Sequence, residues 1–415
     1  MTEESAAAAT VRTVADLPWM DVDDPRFTAD PLAFLAEHRA RDWAFRSRRG
    51  VEIIRHEQVW RFLTDRALVP DIGRVVEAAG LAGTAVGAHM AGGMLGANGP
   101  DHTRLRGAAA AHFSPARLAA WRPVIRDVCA ALVGDPAPGA VVDLVPLLCA
   151  PLPGVVFARM IGAPDADAAD LCARSDAVIR LFDQDPAHRD GVIAAGEELH
   201  DYVTGQLAER RAAPGADLLS SLLAHHDGGR LEDAELVALT VELLAASTDN
   251  TTGQLATTLA HLLTDPTPTE SGEVGGLWGV VAADPALAAR AAVEAERVSP
   301  RVGFVNRHAV RDTVIDGLAL ERGVWIRCSV LSGHHDERVF ADPDVFDPAR
   351  ADQRRSLVFG GGPHYCIGAG LAQVEIEEAV GYLAERFPGL RAEGPPVWHV
   401  TEALTAVVSL PVRIP

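Results

Sequence analysis

Apolar residues recur three and four positions apart through most of the chain, a spacing that predicts helices far more often than strands. Asp101 to Ala111 follows the turn Asn98-Gly99-Pro100, and Pro115 to Val133 follows Ser114, a capping residue with proline at the first helical position. Gly191 to Arg211 is amphipathic and stops at Ala213-Pro214-Gly215, after which Asp217 to Ala224 resumes. The longest run, Asp233 to Leu263, carries Leu236, Leu239, Leu243 and Leu244, and a helix of that length is expected to cross the centre of the molecule. Leu371 to Arg386 is the last helix. Strand signals are few: Ala309 to Val314, Leu318 to Val330 around Asp316-Gly317, and Val407 to Ile414, enough for small sheets only. Val69 to Gly99 and Asp265 to Gly279, rich in glycine and alanine or in proline and threonine, read as long functional loops. No repeat or linker divides the chain. The expectation is a mainly α, single-domain body over residues 30–415 with a partly disordered extension over 1–29.

Composition narrows the chemistry. The 415 residues are 48% hydrophobic and 23% charged, which describes a globular chain. There is no lysine, so all 37 basic residues are arginine. That excludes a lysine Schiff base and a phosphate loop built on lysine. A net charge of −20 argues against a nucleic-acid or anionic-membrane partner. The five cysteines are scattered without a Cys-x-x-Cys pair, so neither a disulfide framework nor a structural zinc site is suggested. Residues 1–24 lack the basic and apolar regions of a secretory signal, and Val141 to Met160, the most apolar stretch, is broken by Asp143, three prolines and Arg159. The expectation is a soluble, cytoplasmic protein without a membrane anchor.

One string carries the strongest chemical signal. Phe359-Gly360-Gly361-Gly362-Pro363-His364-Tyr365-Cys366-Ile367-Gly368-Ala369-Gly370 runs directly into the last helix. Glycines let backbone approach a flat ligand closely, and a cysteine at a helix start faces free N–H groups and the positive dipole end. These effects are expected to lower the thiol pKa by on the order of one unit, and a metal would complete the deprotonation. Taken alone, Cys366 reads better as a small buried hydrophobe in a glycine turn.

The whole string resembles the haem-binding signature of the cytochrome P-450 family, Phe-x-x-Gly-x-x-x-Cys-x-Gly leading into a helix, and the chain resembles a bacterial member from about Asp30 to the end. The resemblance implies the P-450 fold, with a long central helix over the haem. Cys366 would ligate the iron of haem b, with Phe359, Gly360, Gly368 and Ala246 against the macrocycle. Glu294-Ala295-Glu296-Arg297 resembles the family's Glu-x-x-Arg motif, and Arg350, in Phe346-Asp347-Pro348-Ala349-Arg350, the arginine that joins Glu294 and Arg297 in a structural triad. His102, Arg106, Arg307 and His364 match positions that meet the haem propionates. Dioxygen would be the co-substrate, and a ferredoxin with its reductase the electron donor, docking near Arg350, Arg354 and Arg355. The implied activity is monooxygenation, specifically hydroxylation of a small molecule in bacterial secondary-metabolite or antibiotic biosynthesis. Val69 to Gly99, Asp170 to His188 and Glu402 to Ser409 match segments that line the substrate pocket.

The sequence departs from the family in the central helix. Where Ala-Gly-x-(Asp/Glu)-Thr-Thr is usual, the chain has Ala246-Ser247-Thr248-Asp249-Asn250-Thr251, followed by Thr252. The acid survives as Asp249, but the alcohol position falls on Asn250. An amide donates and accepts yet passes a proton only through an unfavourable tautomer. Either Thr248 or Thr251 is brought in by a local bulge, a one-residue register slip lets Thr251 serve, or the reaction does without the hydroxyl. The last option admits oxidative C–C or C–O coupling of aromatic rings in a peptide-type or carrier-bound substrate. Two readings from other classes remain: a non-catalytic haem-binding protein, and a non-haem iron site on His334, Asp336 and His399. The bland reading of His334-His335-Asp336 is a surface turn.

Overall fold

The computed structural model describes residues 11–264, 276–351, 353–400 and 405–415. Helices dominate, and the strands among the described residues form four small sheets. The helix Asp233–Thr264 has 32 residues, about 48 Å at 1.5 Å each. Leu236, Leu239, Leu244, Leu255, Leu259 and Leu262 are buried on it from end to end, and one large apolar cluster surrounds it. Helices Ala168–Ile179, Arg189–Ala212, Leu287–Val298 and Ala369–Arg386 pack against it, so it crosses the molecule as its length requires. No described helix is long and apolar enough to cross a membrane.

The largest sheet has five strands in the order Ala44–Ser47, Gly50–Ile53, Trp325–Ser329, Phe304–Ala309 and Leu68–Val69. Its register sets Arg307 opposite Ile326. Expected strands at 309–314 and 318–330 appear as shorter pieces, Phe304–Ala309, Thr313–Ile315, Leu318–Leu320 and Trp325–Ser329, because turns at Asp316-Gly317 and Gly323, all with positive φ, interrupt them. Part of the expected extension is built into the fold, since Arg12–Thr13 pairs in parallel with Leu318–Ala319. Residues 1–10 lie outside the described residues.

The segment expected as a loop over Val69–Gly99 holds two helices, Ile72–Ala78 and Ala85–Gly92. Their caps are local: Asp71 Oδ1 accepts the Arg74 N–H, and Thr84 Oγ1 the Gly87 N–H, each at 3.0 Å. Ser114 does not cap as expected; its hydroxyl donates to the Ala111 carbonyl at 2.8 Å, and Pro115–Val133 starts without it. Asp217 accepts the Ser220 N–H at 2.8 Å and starts Leu218–Asp227. Of the loop expected at 265–279, residues 265–275 lie outside the described residues, and the rest opens the helix Gly276–Ala283.

Candidate cofactor site

The cysteine loop is shaped by backbone. Gly360 and Gly362 adopt φ of +70° and +64°, and a Cβ on Gly362 would lie 3.0 Å from Thr64 Cα. Only glycine allows that turn to rest on the end of helix His56–Thr64. The Cys366 N–H donates to the Phe359 carbonyl at 2.9 Å, which closes the loop. Cys366 is solvent-accessible although protein surrounds it on most sides. Phe359 and Tyr365 meet edge-on at 6.2 Å beside it.

The expected drop in the Cys366 thiol pKa does not occur in the metal-free chain. Burial pushes it up, and the N–H groups of Gly368 and Ala369 together with Arg106 pull against that push without overcoming it. Desolvation outweighs the N–H groups at the helix start here.

The four residues expected at the propionates do come together. The rings of His102 and His364 lie 4.2 Å apart, and Arg106 and Arg307 act electrostatically on His364. Arg307 is 4% exposed, and among the described residues its guanidinium donates one hydrogen bond, to the Asn306 carbonyl at 2.9 Å. Among the described residues neither Arg106 nor Arg307 has a carboxylate partner. A buried guanidinium without an anion is costly, so Arg307, with the half-buried Arg106 near the same imidazole, suits an anionic group. A flat macrocycle carrying carboxylates, with a metal that takes a soft sulfur donor, fits this set. Burial and the neighbouring imidazole and arginines hold His364 down to about 3, and burial lowers His102, so both imidazoles are neutral at pH 7. Asn98 Oδ1 lies 3.0 Å from His364 Nε2, a partner that sequence reasoning missed.

Behind the loop, Glu294, Arg297 and Arg350 form a buried triad. Arg297 donates to both Glu294 oxygens at 3.0 and 2.8 Å, and Arg350 Nε donates to Glu294 Oε1 at 3.0 Å. Arg350 therefore belongs to the interior and is withdrawn from the surface patch expected with Arg354 and Arg355. Arg355 is exposed; the Arg354 side chain lies outside the described residues. His334 and His335 are buried, not a surface turn: His334 Nε2 accepts the Leu357 N–H at 2.7 Å, and His399 stands exposed on a separate hairpin. No cluster of three metal-ligating side chains occurs among the described residues, so the non-haem triad is overturned.

On the central helix, Ala246 and Asn250 are exposed in the middle of an otherwise buried helix, four residues apart and so on one face. Thr251 is 6% exposed and Thr248 2%, and the Thr248 hydroxyl faces Asp176 at 3.5 Å. The exposed position on this face is Asn250, and Thr251 is buried. Asp249 is tied down by Arg301, whose NH2 donates to both carboxylate oxygens at 2.7 and 2.6 Å. A Cβ on Gly253 would lie 2.8 Å from Arg301 Cδ, so the glycine one turn on makes room for that arginine. Arg301 was not anticipated, because nothing local in the sequence joins it to a residue 52 positions away.

The family model described as Cytochrome P450 matches residues 290–406. The chain is 30% identical to the luteothin monooxygenase of Streptomyces thioluteus over 413 residues, 99% of each protein. It is 36% identical over 330 residues to the nocardicin C N-oxygenase of Nocardia uniformis subsp. tsuyamanensis, covering 78% of this chain and 79% of that one. The crystal structure of CalO2 superposes with a TM-score of 0.85 at 27% identity, covering 96% of this chain and 99% of that one.

Proposed function

Because the chain belongs to the cytochrome P450 family, we propose that it is a haem b thiolate monooxygenase that hydroxylates a small molecule in secondary-metabolite biosynthesis, in the cytoplasm. The observation that carries this reading is an accessible Cys366 that Arg106 acts on, with the buried Arg307 at the neighbouring His364, neither guanidinium having a carboxylate among the described residues. Bound haem supplies the oxidising power, drawn from dioxygen and two electrons. The chain's residues do the rest. Cys366 would hold the metal as thiolate, Arg106 and Arg307 would hold the carboxylates, and the neutral imidazole of His102 would add an N–H donor, while His364 gives its N–H to Asn98 Oδ1. Phe359, Gly360 and Gly368 shape the loop face, and Ala246, with its single methyl, leaves room on the opposite wall.

Asn250 is the polar group on that wall. Its amide positions water or substrate by donating and accepting, while the proton itself passes through water or a substrate hydroxyl. Asp249 is a fixed carboxylate at the border of this space, oriented by Arg301, with Thr248 and Thr251 turned into protein. Removing one positioned hydrogen bond is worth about 1 kcal/mol, roughly fivefold in a partition between two outcomes. Asn250→Ala is therefore expected to change the fraction of electrons lost to hydrogen peroxide about fivefold, with haem content unaltered. A collapse in haem content with unchanged peroxide would remove Asn250 from this role.

The relatives named for luteothin and nocardicin C support a natural-product substrate. An amide at the alcohol position favours one second reading, oxidative coupling of aromatic rings in a peptide-type substrate, because coupling needs no oxygen insertion. Electrons would come from a ferredoxin and its reductase, docking behind the cysteine loop. There, Arg338, Arg355 and Trp60 line a cleft of about 560 Å³. The test is a titration of candidate substrates against the haem-loaded protein, followed by turnover with ferredoxin and reductase. A spin-state shift with an oxygenated product supports hydroxylation, dehydrogenative coupling supports the second reading, and binding without product under reduction leaves a non-catalytic haem protein.

A further inference from the structure

Glu296 is a buried acid that neither the triad nor the cofactor cradle uses. It is 2% exposed, and its Oε2 is enclosed without a hydrogen-bond partner. Among the described residues no cation and no N–H or O–H donor bonds to its carboxyl. Two other buried carboxyls show what it lacks. Glu294, on the same helix, takes two guanidiniums and the Asp347 N–H. Glu242, on the central helix, takes the N–H groups of Met94 and Leu95, each at 2.7 Å. Glu296 stands two residues past Glu294 on Leu287–Val298, about 200° round the helix, so it faces away from the triad. Its helix packs against Ala369–Arg386, the helix that the cysteine loop enters. From there its charge acts on Cys366 and Tyr365, with no hydrogen bond to either among the described residues.

We propose that Glu296 is a positioning residue that acts through Cys366, taking up a proton when the cysteine-held cofactor takes up an electron. That cofactor is the haem of the functional reading above, on which the coupling rests. Two independent facts give the direction. An ionised Glu296 repels a further negative charge arriving beside the thiolate, so reduction favours the protonated acid. A carboxyl enclosed without cation or donor resists ionisation, and burial pushes Glu296 up to about 8 from an ordinary 4.5. Below that range the acid is neutral in both oxidation states and the coupling vanishes. Above it, one electron from a low-potential donor enters the metal, and one proton from water forms the O–H bond at Glu296. The groups on the elements packed against it have other partners or other ranges. His261 of the central helix meets Ser299 at 3.0 Å, and His334 accepts the Leu357 N–H. Glu378 of the last helix is paired with Arg122 and Arg126, and Arg355 is exposed. Burial, Cys366 and Glu296 raise Tyr365 above its ordinary 10, so it keeps its proton throughout. Glu375 of the last helix is also pushed up by burial, so a variant has to isolate Glu296.

The test is the equilibrium of the haem-loaded protein with a redox dye of known potential, read from the Soret band in wild type, Glu296→Gln and Glu296→Leu. Dividing the reduction constant of wild type by that of a variant at each pH removes every dependence the two share, that of Glu375 and of the haem carboxylates included. The ratio is expected to be level below about pH 7 and to fall roughly fivefold between about pH 7 and 9, the coupling of two like charges in a protein interior. A ratio that stays level, or rises, overturns the proposal. Both variants are expected to load haem, because a carboxyl without partners leaves none unpaired when it is replaced. Loss of haem from both would make Glu296 structural and overturns the proposal as well. Wild-type protein that takes up no haem fails the functional reading, whereas loaded protein with a level ratio fails the coupling alone.

Discussion

Cys366→Ser is expected to retain part of its haem and lose all measurable turnover. On the proposed reading Arg106 and Arg307 are untouched by the substitution, so the macrocycle's carboxylates would keep their partners. The metal loses its sulfur. A serine hydroxyl ionises far less readily than a thiol, so it cannot supply the anionic, electron-rich donor that thiolate ligation requires. The diagnostic is the carbon monoxide adduct of the reduced protein, whose red-shifted Soret band should disappear. Persistence of that band in the serine variant would place the ligand elsewhere. The wild-type protein carries a pH signature as well. Burial pushes the free thiol up, so binding the metal must release a proton, and haem affinity should fall as pH is lowered, toward tenfold per unit, across the range in which the free thiol is protonated. The serine variant should lack that slope.

The parts of this site that were legible in the sequence are the parts that are local in it. The cysteine loop is one string of glycines with its helix attached, and the His102–Arg106 pair shares a helical face by spacing alone. The central helix announces itself by length and leucine periodicity. The helices at 72–78 and 85–92 did not, because glycine and alanine there obscure the apolar stripe and only the caps at Asp71 and Thr84 mark them. Arg301, Glu242 and Asn98 were invisible for a different reason: each meets a partner 52, 148 or 266 residues away, and no periodicity encodes such a pairing. The thiol was misjudged because a sequence shows the dipole at a helix start but not the depth at which it is buried. Arg350 was given two roles because its identity allows both, and only burial separates them.

Glu294→Gln is expected to destabilise the protein by about 3–5 kcal/mol, the range for breaking a buried pair by removing one partner. Glu294 is 0% exposed and its carboxylate is the one anion shared by two guanidiniums, with the Asp347 N–H adding a third donor at 3.1 Å. Glutamine keeps the volume, but its amide nitrogen turns a donor toward donors, and both arginines remain buried with their charge uncompensated. The remaining carbonyl contacts cannot replace it. Arg297 already donates to His334 at 2.9 Å and Pro343 at 2.6 Å, and these bonds depend on the orientation the carboxylate sets. The damage should travel to the cofactor site along bonds on the page: Glu294 orients Arg297, Arg297 holds the His334 carbonyl, and the neutral His334 ring accepts the Leu357 N–H just before the cysteine loop. Burial holds His334 well below its ordinary value, so that last bond survives at neutral pH. Asp165→Asn is the comparison, since it breaks a half-exposed pair with Arg159 at 2.8 Å and should cost under about 1 kcal/mol. Denaturant unfolding of the two variants, with haem retention measured alongside, separates the cases. Glu294→Gln should fall in both stability and retention and Asp165→Asn in neither, and equal losses would mean that the buried triad does not support the loop.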